Sequence, residues 1–202
     1  MSDEDRLNYE ANTSDAINIL PVLQKGLDVN VKFTGVRDFE YTKEILPFDL
    51  LNISLYHGWL VDPQSEESKV IGDLSYNALV EKVISQSAYL GKHFLEASAS
   101  QLTYHGLCEL TAALEEGEIG VFFRNNHFST LTKAKGRLYL LVTDQGFLKE
   151  ASVVWETLDS VDGDITFVDE GFKIVSHSPE QQSSQYPPTS SPGAQSNQQI
   201  EQ

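Results

Sequence analysis

Apolar positions along this chain follow two periods, and they change from one to the other near residue 117. In the N-terminal half the spacing is mainly helical. Leu7, Ala11, Ala16, Ile17, Leu20 and Leu23 form a rough stripe that predicts a helix over much of 3–25, kinked or ended by Pro21. LDVNVKFTGV (27–36) then alternates, placing Val29, Val31 and Phe33 on one face of a predicted strand. FEYTKEILPFDLLNISLY, broken by Pro47, reads as irregular chain or short helix, and HGWLVDP (57–63) as an exposed loop with Gly58 and Pro63 as breakers. Helical spacing returns at Leu79, Val80, Val83 and Ile84 behind a Ser75 cap, with a break expected near Gly91. A further helix is predicted over roughly 98–116, ended by Gly117. Beyond it, IGVFFRNNHFSTLTKAKGRLYLLVTDQGF predicts one strand, a short basic turn at Lys133–Gly136 and a second strand. VVWETL and VDGDITFVDEGFKIV add short strands and a turn at Asp162-Gly163.

This order predicts an α+β fold with helices packed on a small antiparallel sheet. From Ser176 the pattern stops. Four of the seven prolines and many Gln and Ser fill 176–202, which is expected to be a disordered tail behind a domain at 1–175.

Charge narrows the partners. Fourteen basic against thirty acidic residues give a net charge of −16, and only Glu180 and Glu201 of those acids lie in the tail. A nucleic-acid binder needs clustered Lys and Arg, and none is present, so no nucleic acid and no anionic membrane surface is expected as a partner. A basic protein partner fits the charge better. The N-terminus is polar and acidic, unlike a presequence, and no apolar run approaches membrane-spanning length, so no membrane insertion is expected. The one cysteine, Cys108, permits no internal disulfide and no cysteine zinc cluster, which suits a cytoplasmic or nuclear setting. No cofactor is expected, and nothing in the sequence fixes an oligomeric state.

Four stretches bear candidate chemistry. In FFRNNHFSTL, His127 follows two asparagines. Imidazole exchanges protons near neutral pH, so a histidine here suits a general base acting on a thiol or hydroxyl. Such a base needs an orienting group, and the expected hairpin places Val142, Thr143 and Asp144 opposite it, with Thr143, Asp144 or Gln145 as the candidates. In LYHGWLVDPQ, Trp59 beside Gly58 is either a docking anchor or a core residue under the loop. In YHGLCEL, His105 and Cys108 are three apart on a helix, but Cys108 lies between Leu107 and Leu110 and is expected to be a buried, inert packing residue. In VDGDITFVDEG, Asp162, Asp164 and Asp169 lack the glycine and terminal glutamate of a calcium loop, so a solvated turn and no metal are expected.

Taken together, GLDVNVKFTGVRDFEYT, FDLLNISLYHGWLVDPQ, LSYNALVEKVI, QLTYHGLCELTAAL, FFRNNHFSTL and LYLLVTDQGFL resemble consecutive blocks of the MINDY family of deubiquitinases, from about Leu7 to Val168. The resemblance implies the distal part of a papain-like, cysteine-protease-type domain. It implies hydrolysis of polyubiquitin of the degradative, proteasome-targeting linkage, with His127 as the catalytic histidine. It also implies Val29, Trp59, Tyr76 and Phe123 as ubiquitin-contacting positions. The family's nucleophile lies in an upstream GPCPL-like block beside an oxyanion-holding glutamine. Neither block occurs here, and Cys108 falls elsewhere. The chain is therefore expected to be an incomplete catalytic domain, a truncated isoform or fragment, inactive by itself. The competing expectations are a non-catalytic ubiquitin-binding module and a plain scaffold.

Overall fold

A computed structural model describes residues 3–19, 21 and 29–175. The expected tail at 176–202, and Leu20 and Leu23 of the first stripe, lie outside these residues. The helices are α1 (Asp3–Ile19), α2 (Leu46–Leu50), α3 (Ser68–Ile71), α4 (Tyr76–Gln86), α5 (Tyr89–Ala97) and α6 (Tyr104–Ala113). The strands are β1 (Leu55–His57), β2 (Ile119–Arg124), β3 (His127–Ala134), β4 (Arg137–Leu141), β5 (Trp155–Thr157) and β6 (Phe167–Val168). They form one six-stranded sheet in the order β1-β2-β3-β4-β5-β6. The class is α+β, as the pattern predicts. The sheet is mixed rather than antiparallel, because β1 returns parallel to β2 (Leu55 opposite Val121, His57 opposite Phe123) after a long helical crossover.

Alternation along the strands splits the core into two clusters on opposite faces of the sheet. Tyr56, Phe122, Leu131, Leu138 and Leu140 pack with Leu102, Leu110 and Leu114 from α6 and its flanks. Leu55 and Phe123 pack on the other face with Val29, Val31, Phe33, Trp59, Leu79 and Phe94. Tyr56, Phe122, Phe33 and Leu79 are at most 1% exposed, so each contributes roughly 1.5–3 kcal/mol of burial.

Several local expectations change. The 27–36 segment forms no strand among the described residues. Val29, Val31 and Phe33 do share a buried face, but the backbone makes only isolated bridges, Val31 with Phe39 and Lys32 with Ser75. The predicted second helix breaks at Ser87, which is left-handed (φ 51°), and not at Gly91. Gly91 sits inside α5 and lets it approach α4: a Cβ there would lie 2.9 Å from Leu79 Cδ1. On α1, Leu7, Tyr9 and Ile17 are exposed, so the first stripe packs less than its spacing suggests. No helix among the described residues is long and apolar enough to cross a membrane.

The largest change is in the segment 119–147. It holds two hairpins, not one. Asn125 and Asn126 both adopt positive φ (51° and 57°) between Arg124 and His127, which pair directly. That is a two-residue type I′ turn, whose twist matches the flanking strands and whose left-handed residues favour Asn. A second tight turn follows at Lys135-Gly136 (φ 53° and 74°).

Candidate functional site

The His57–Val61 segment, expected as an exposed loop, is buried throughout. Two glycines make this possible. Gly58 and Gly106 meet so closely that a Cβ on Gly106 would lie 1.9 Å from the Gly58 carbonyl oxygen. Thr103, the α6 cap, receives the Gly106 N–H on its hydroxyl at 3.0 Å and donates to the Leu60 carbonyl at 2.8 Å, while its own N–H reaches Gly58 O at 3.0 Å. The segment is thus bonded to the start of α6, which satisfies backbone groups that burial would otherwise leave unpaired.

His57 is the second anchor. It is 1% exposed, and burial pushes its imidazole down to about 4. The ring is neutral at neutral pH. Its Nε2–H donates to Asp38 O (3.2 Å), and Nδ1 accepts the Trp59 N–H (3.3 Å). Both nitrogens are occupied, and Phe39 packs edge-on against the ring. The sequence reading missed this histidine.

Trp59 is a core residue, 4% exposed. Its Nε1–H donates to Ser98 Oγ at 2.7 Å, the partner a buried indole requires. Phe33 meets it edge-on, Phe94 stacks on it, and Tyr76 tilts against it at 5.4 Å between centroids. Val29, Trp59 and Phe123 are all buried, and Tyr76 is 38% exposed. These four positions, far apart in sequence, nevertheless line one small cavity of about 150 Å³, together with Val31, Asn77, Gln101 and Asn126. The lining mixes apolar side chains with the amides of Asn77, Gln101 and Asn126 and leaves room for one small group. Trp59 can therefore meet a ligand only through the edge that faces this cavity.

Asn126 joins the cavity to the histidine, because the next residue is His127, the first of β3. His127 is exposed at the hairpin tip. Its partner across the strand pair is Arg124, whose Nε donates to Ser100 O at 2.7 Å. The β3–β4 ladder runs from Ala134 opposite Arg137 to Leu131 opposite Leu140 and then closes. The same register carried on would set Asp144 across from His127, but Val142 has already turned to β5, its N–H bonded to Val154 O at 3.0 Å. Thr143 and Asp144 are exposed, Asp144 caps its own turn by accepting Gly146 N–H at 2.6 Å, and Gln145 opens a 3-10 turn, Gln145–Phe147. Among the described residues, none of these three is hydrogen-bonded to His127.

Cys108 is exposed, contrary to expectation. The buried stripe of α6 runs through Gly106 and Leu110, and Cys108 lies off it. It faces an open groove of about 510 Å³ with Gly136, Arg137 and Asp159. His127 begins β3, and Gly136 lies just past the strand's other end at Ala134, so about 20 Å or more separate the two places. Asp162 accepts the Tyr104 hydroxyl (2.9 Å), and Asp169 accepts Gly171 N–H (2.8 Å) and Lys173 N–H (2.9 Å). No group of three His, Cys, Asp or Glu among the described residues is placed to hold a metal.

Known proteins match this arrangement along nearly its whole length. The family model described as MINDY deubiquitinase matches residues 1–172. The chain is 61% identical over 185 residues to "Ubiquitin carboxyl-terminal hydrolase MINDY-1" of Bos taurus, covering 86% of this chain and 39% of that protein. It is 60% identical over 185 residues to "Ubiquitin carboxyl-terminal hydrolase MINDY-2" of Homo sapiens, covering 86% and 30%. It is 59% identical over 179 residues to the MINDY-1 hydrolase of Danio rerio, covering 83% and 34%. The chain thus spans well under half the length of these curated relatives. The residues that build the cavity and the hairpin all fall within the matched span 1–172. The chain belongs to the MINDY deubiquitinase family, whose catalytic unit is a cysteine-protease-type domain.

Proposed function

We propose that this chain supplies the histidine and the docking cavity of a thiol isopeptidase that hydrolyses polyubiquitin of the degradative, proteasome-targeting linkage, in the cytoplasm or nucleus. The observation that carries this reading is that Asn126, which lines the cavity with Val29, Trp59, Tyr76 and Phe123, is the residue immediately before His127. A substrate side chain seated there holds its polypeptide beside an exposed imidazole. That imidazole takes the proton of an attacking thiol and returns one to the leaving amine.

Thr143, Asp144 and Gln145 remain the candidates to orient the ring. Asp144 is the least available, because its carboxylate already holds the Gly146 N–H. The thiolate is not Cys108, which lies at the far end of β3. On this reading it comes from a GPCPL-like block that this sequence does not contain, and the chain alone does not cleave. The test joins the chain to an upstream segment that carries such a block. The fusion is then presented with diubiquitins of each lysine linkage. Selective cleavage of the degradative linkage supports the reading, and equal cleavage of all linkages removes the specificity from it.

A second reading is a ubiquitin-binding module without chemistry, favoured by the remoteness of the one cysteine from His127. Titration of diubiquitin against the chain and its Tyr76→Ala variant tests the docking common to both readings. Tyr76 is the cavity residue to change, because it alone of the four is exposed. About a tenfold loss of affinity is expected, and undiminished binding counts against the cavity.

A further inference from the structure

The turn that delivers His127 is held by its neighbour as well as by its own ladder. In a two-residue hairpin the paired residues, here Arg124 and His127, exchange backbone hydrogen bonds, while the N–H of the first turn residue points away from the ladder. That N–H, on Asn125, donates to the side-chain oxygen of Gln101 at 2.9 Å. One residue before it, Arg124 Nε donates to the carbonyl of Ser100 at 2.7 Å. Residues 100–101 therefore grip both positions that lead into the turn.

The grip is itself anchored in the core. Gln101 N–H donates to Ser98 O at 2.8 Å, and the Ser98 hydroxyl receives the Trp59 indole and donates to Phe94 O at 2.6 Å. The next residue, Leu102, is 1% exposed and forms a bridge with Gly58. Gln101 adopts a left-handed backbone (φ 54°), a conformation a residue with a Cβ holds only when its surroundings impose it. One line of hydrogen bonds runs from the buried Trp59 through Ser98 and Gln101 to the turn that precedes His127.

We propose that Gln101 is a positioning residue: its side-chain oxygen, assisted by the Arg124 contact, sets the direction in which His127 is presented. This rests on the reading of His127 as the general base, but its test uses neither ubiquitin nor cleavage. Gln101→Met keeps length and packing and removes the acceptor. Gln101→Glu keeps an acceptor oxygen. Each variant of this chain is compared with the parent by amide hydrogen exchange at Asn125 and by the NMR signal of the His127 ring Cε1–Hε1, with the exchange of the Leu131 amide as the reference for the β3 core.

The expected result is exchange at Asn125 at least tenfold faster in Gln101→Met, with a shifted or split His127 ring signal and Leu131 unchanged. Gln101→Glu is expected to stay within twofold of the parent. The proposal is overturned if Gln101→Met leaves Asn125 exchange or the ring signal as in the parent, or if Gln101→Glu behaves like Gln101→Met. A cleavage assay indifferent to His127 would remove the proposed function and leave this result standing.

Discussion

Two histidines of this chain lie in neighbouring parts of the sheet and have opposite fates. His57 ends β1 with both ring nitrogens bonded and almost no exposure. His127 begins β3 with its side chain in solvent, and among the described residues its ring is hydrogen-bonded to nothing. The strand pairing places them close in the ladder: His57 is opposite Phe123, and Arg124, the next residue, is opposite His127. A buried imidazole with two partners is a structural post. It fixes the Gly58-Trp59 backbone, and its proton is not for exchange near neutral pH. The imidazole of His127 is exposed at a tight turn, and the hydrogen bonds there hold the turn rather than the ring. On the proposed reading, function and stability are divided between β3 and β1, the two strands that flank β2.

The first way to break this division is to attack the post's region. Trp59→Ala empties a site ringed by Phe33, Phe94 and Tyr76 and removes the indole donor from the Ser98 hydroxyl. A loss of about 3–5 kcal/mol is expected, read by chemical denaturation; a loss under 1 kcal/mol would place Trp59 outside the core. Binding experiments with this variant would report unfolding rather than docking.

The second prediction concerns pH. The His57 imidazole in the folded chain is held at about 4, below the unfolded 6.5, so the unfolded state takes up the proton first as pH falls. The stability that comes from keeping the ring neutral is complete above pH 6.5 and is lost as pH drops from there toward 4. The shift corresponds to about 3 kcal/mol across that window. Compared by denaturation at both ends, His57→Gln should lack this part of the pH dependence. Parallel curves for the parent and the variant would show that His57 is not the titrating post.

A smaller effect is expected at the turn. Asn126 holds φ 57°, which a β-branched side chain resists, so Asn126→Val should cost about 1–2 kcal/mol, while Asn126→Gly should be nearly neutral. Equal stability of the two variants would mean that the turn is not the left-handed pair described. The smallest effect belongs to His127 itself. Its removal should change stability by less than about 0.5 kcal/mol, because an exposed, unbonded ring carries little of the fold.

How much of this was legible in the sequence follows from what each signal measures. Periodicity reports which faces are buried, and it placed Val29, Val31 and Phe33 on one face. It does not report pairing, so it could not tell a ladder from the isolated bridges at Val31 and Lys32. The Asn125-Asn126 turn was readable in principle, since Asn tolerates left-handed backbone, but without a glycine it passed as strand. The sequence left Trp59 open between anchor and core residue, because its burial depends on Gly106 approaching Gly58 from a helix some fifty residues away. The same distance hid Gln101 and Ser98, which act through hydrogen bonds to residues remote in sequence. Cys108 misled because flanking leucines do not fix which side of a helix is covered. The four cavity positions came from family resemblance alone, and no local pattern shows that they converge.

The central claim is that His127, and not the buried His57, carries the chemistry. Its most direct test is the rate of diubiquitin cleavage by the chain joined to an upstream segment that carries a GPCPL-like block, compared with the same fusion bearing His127→Ala. The account predicts a fall of about 10²–10⁴-fold at unchanged denaturation midpoint. Cleavage at the parent rate by the well-folded His127→Ala fusion would contradict it.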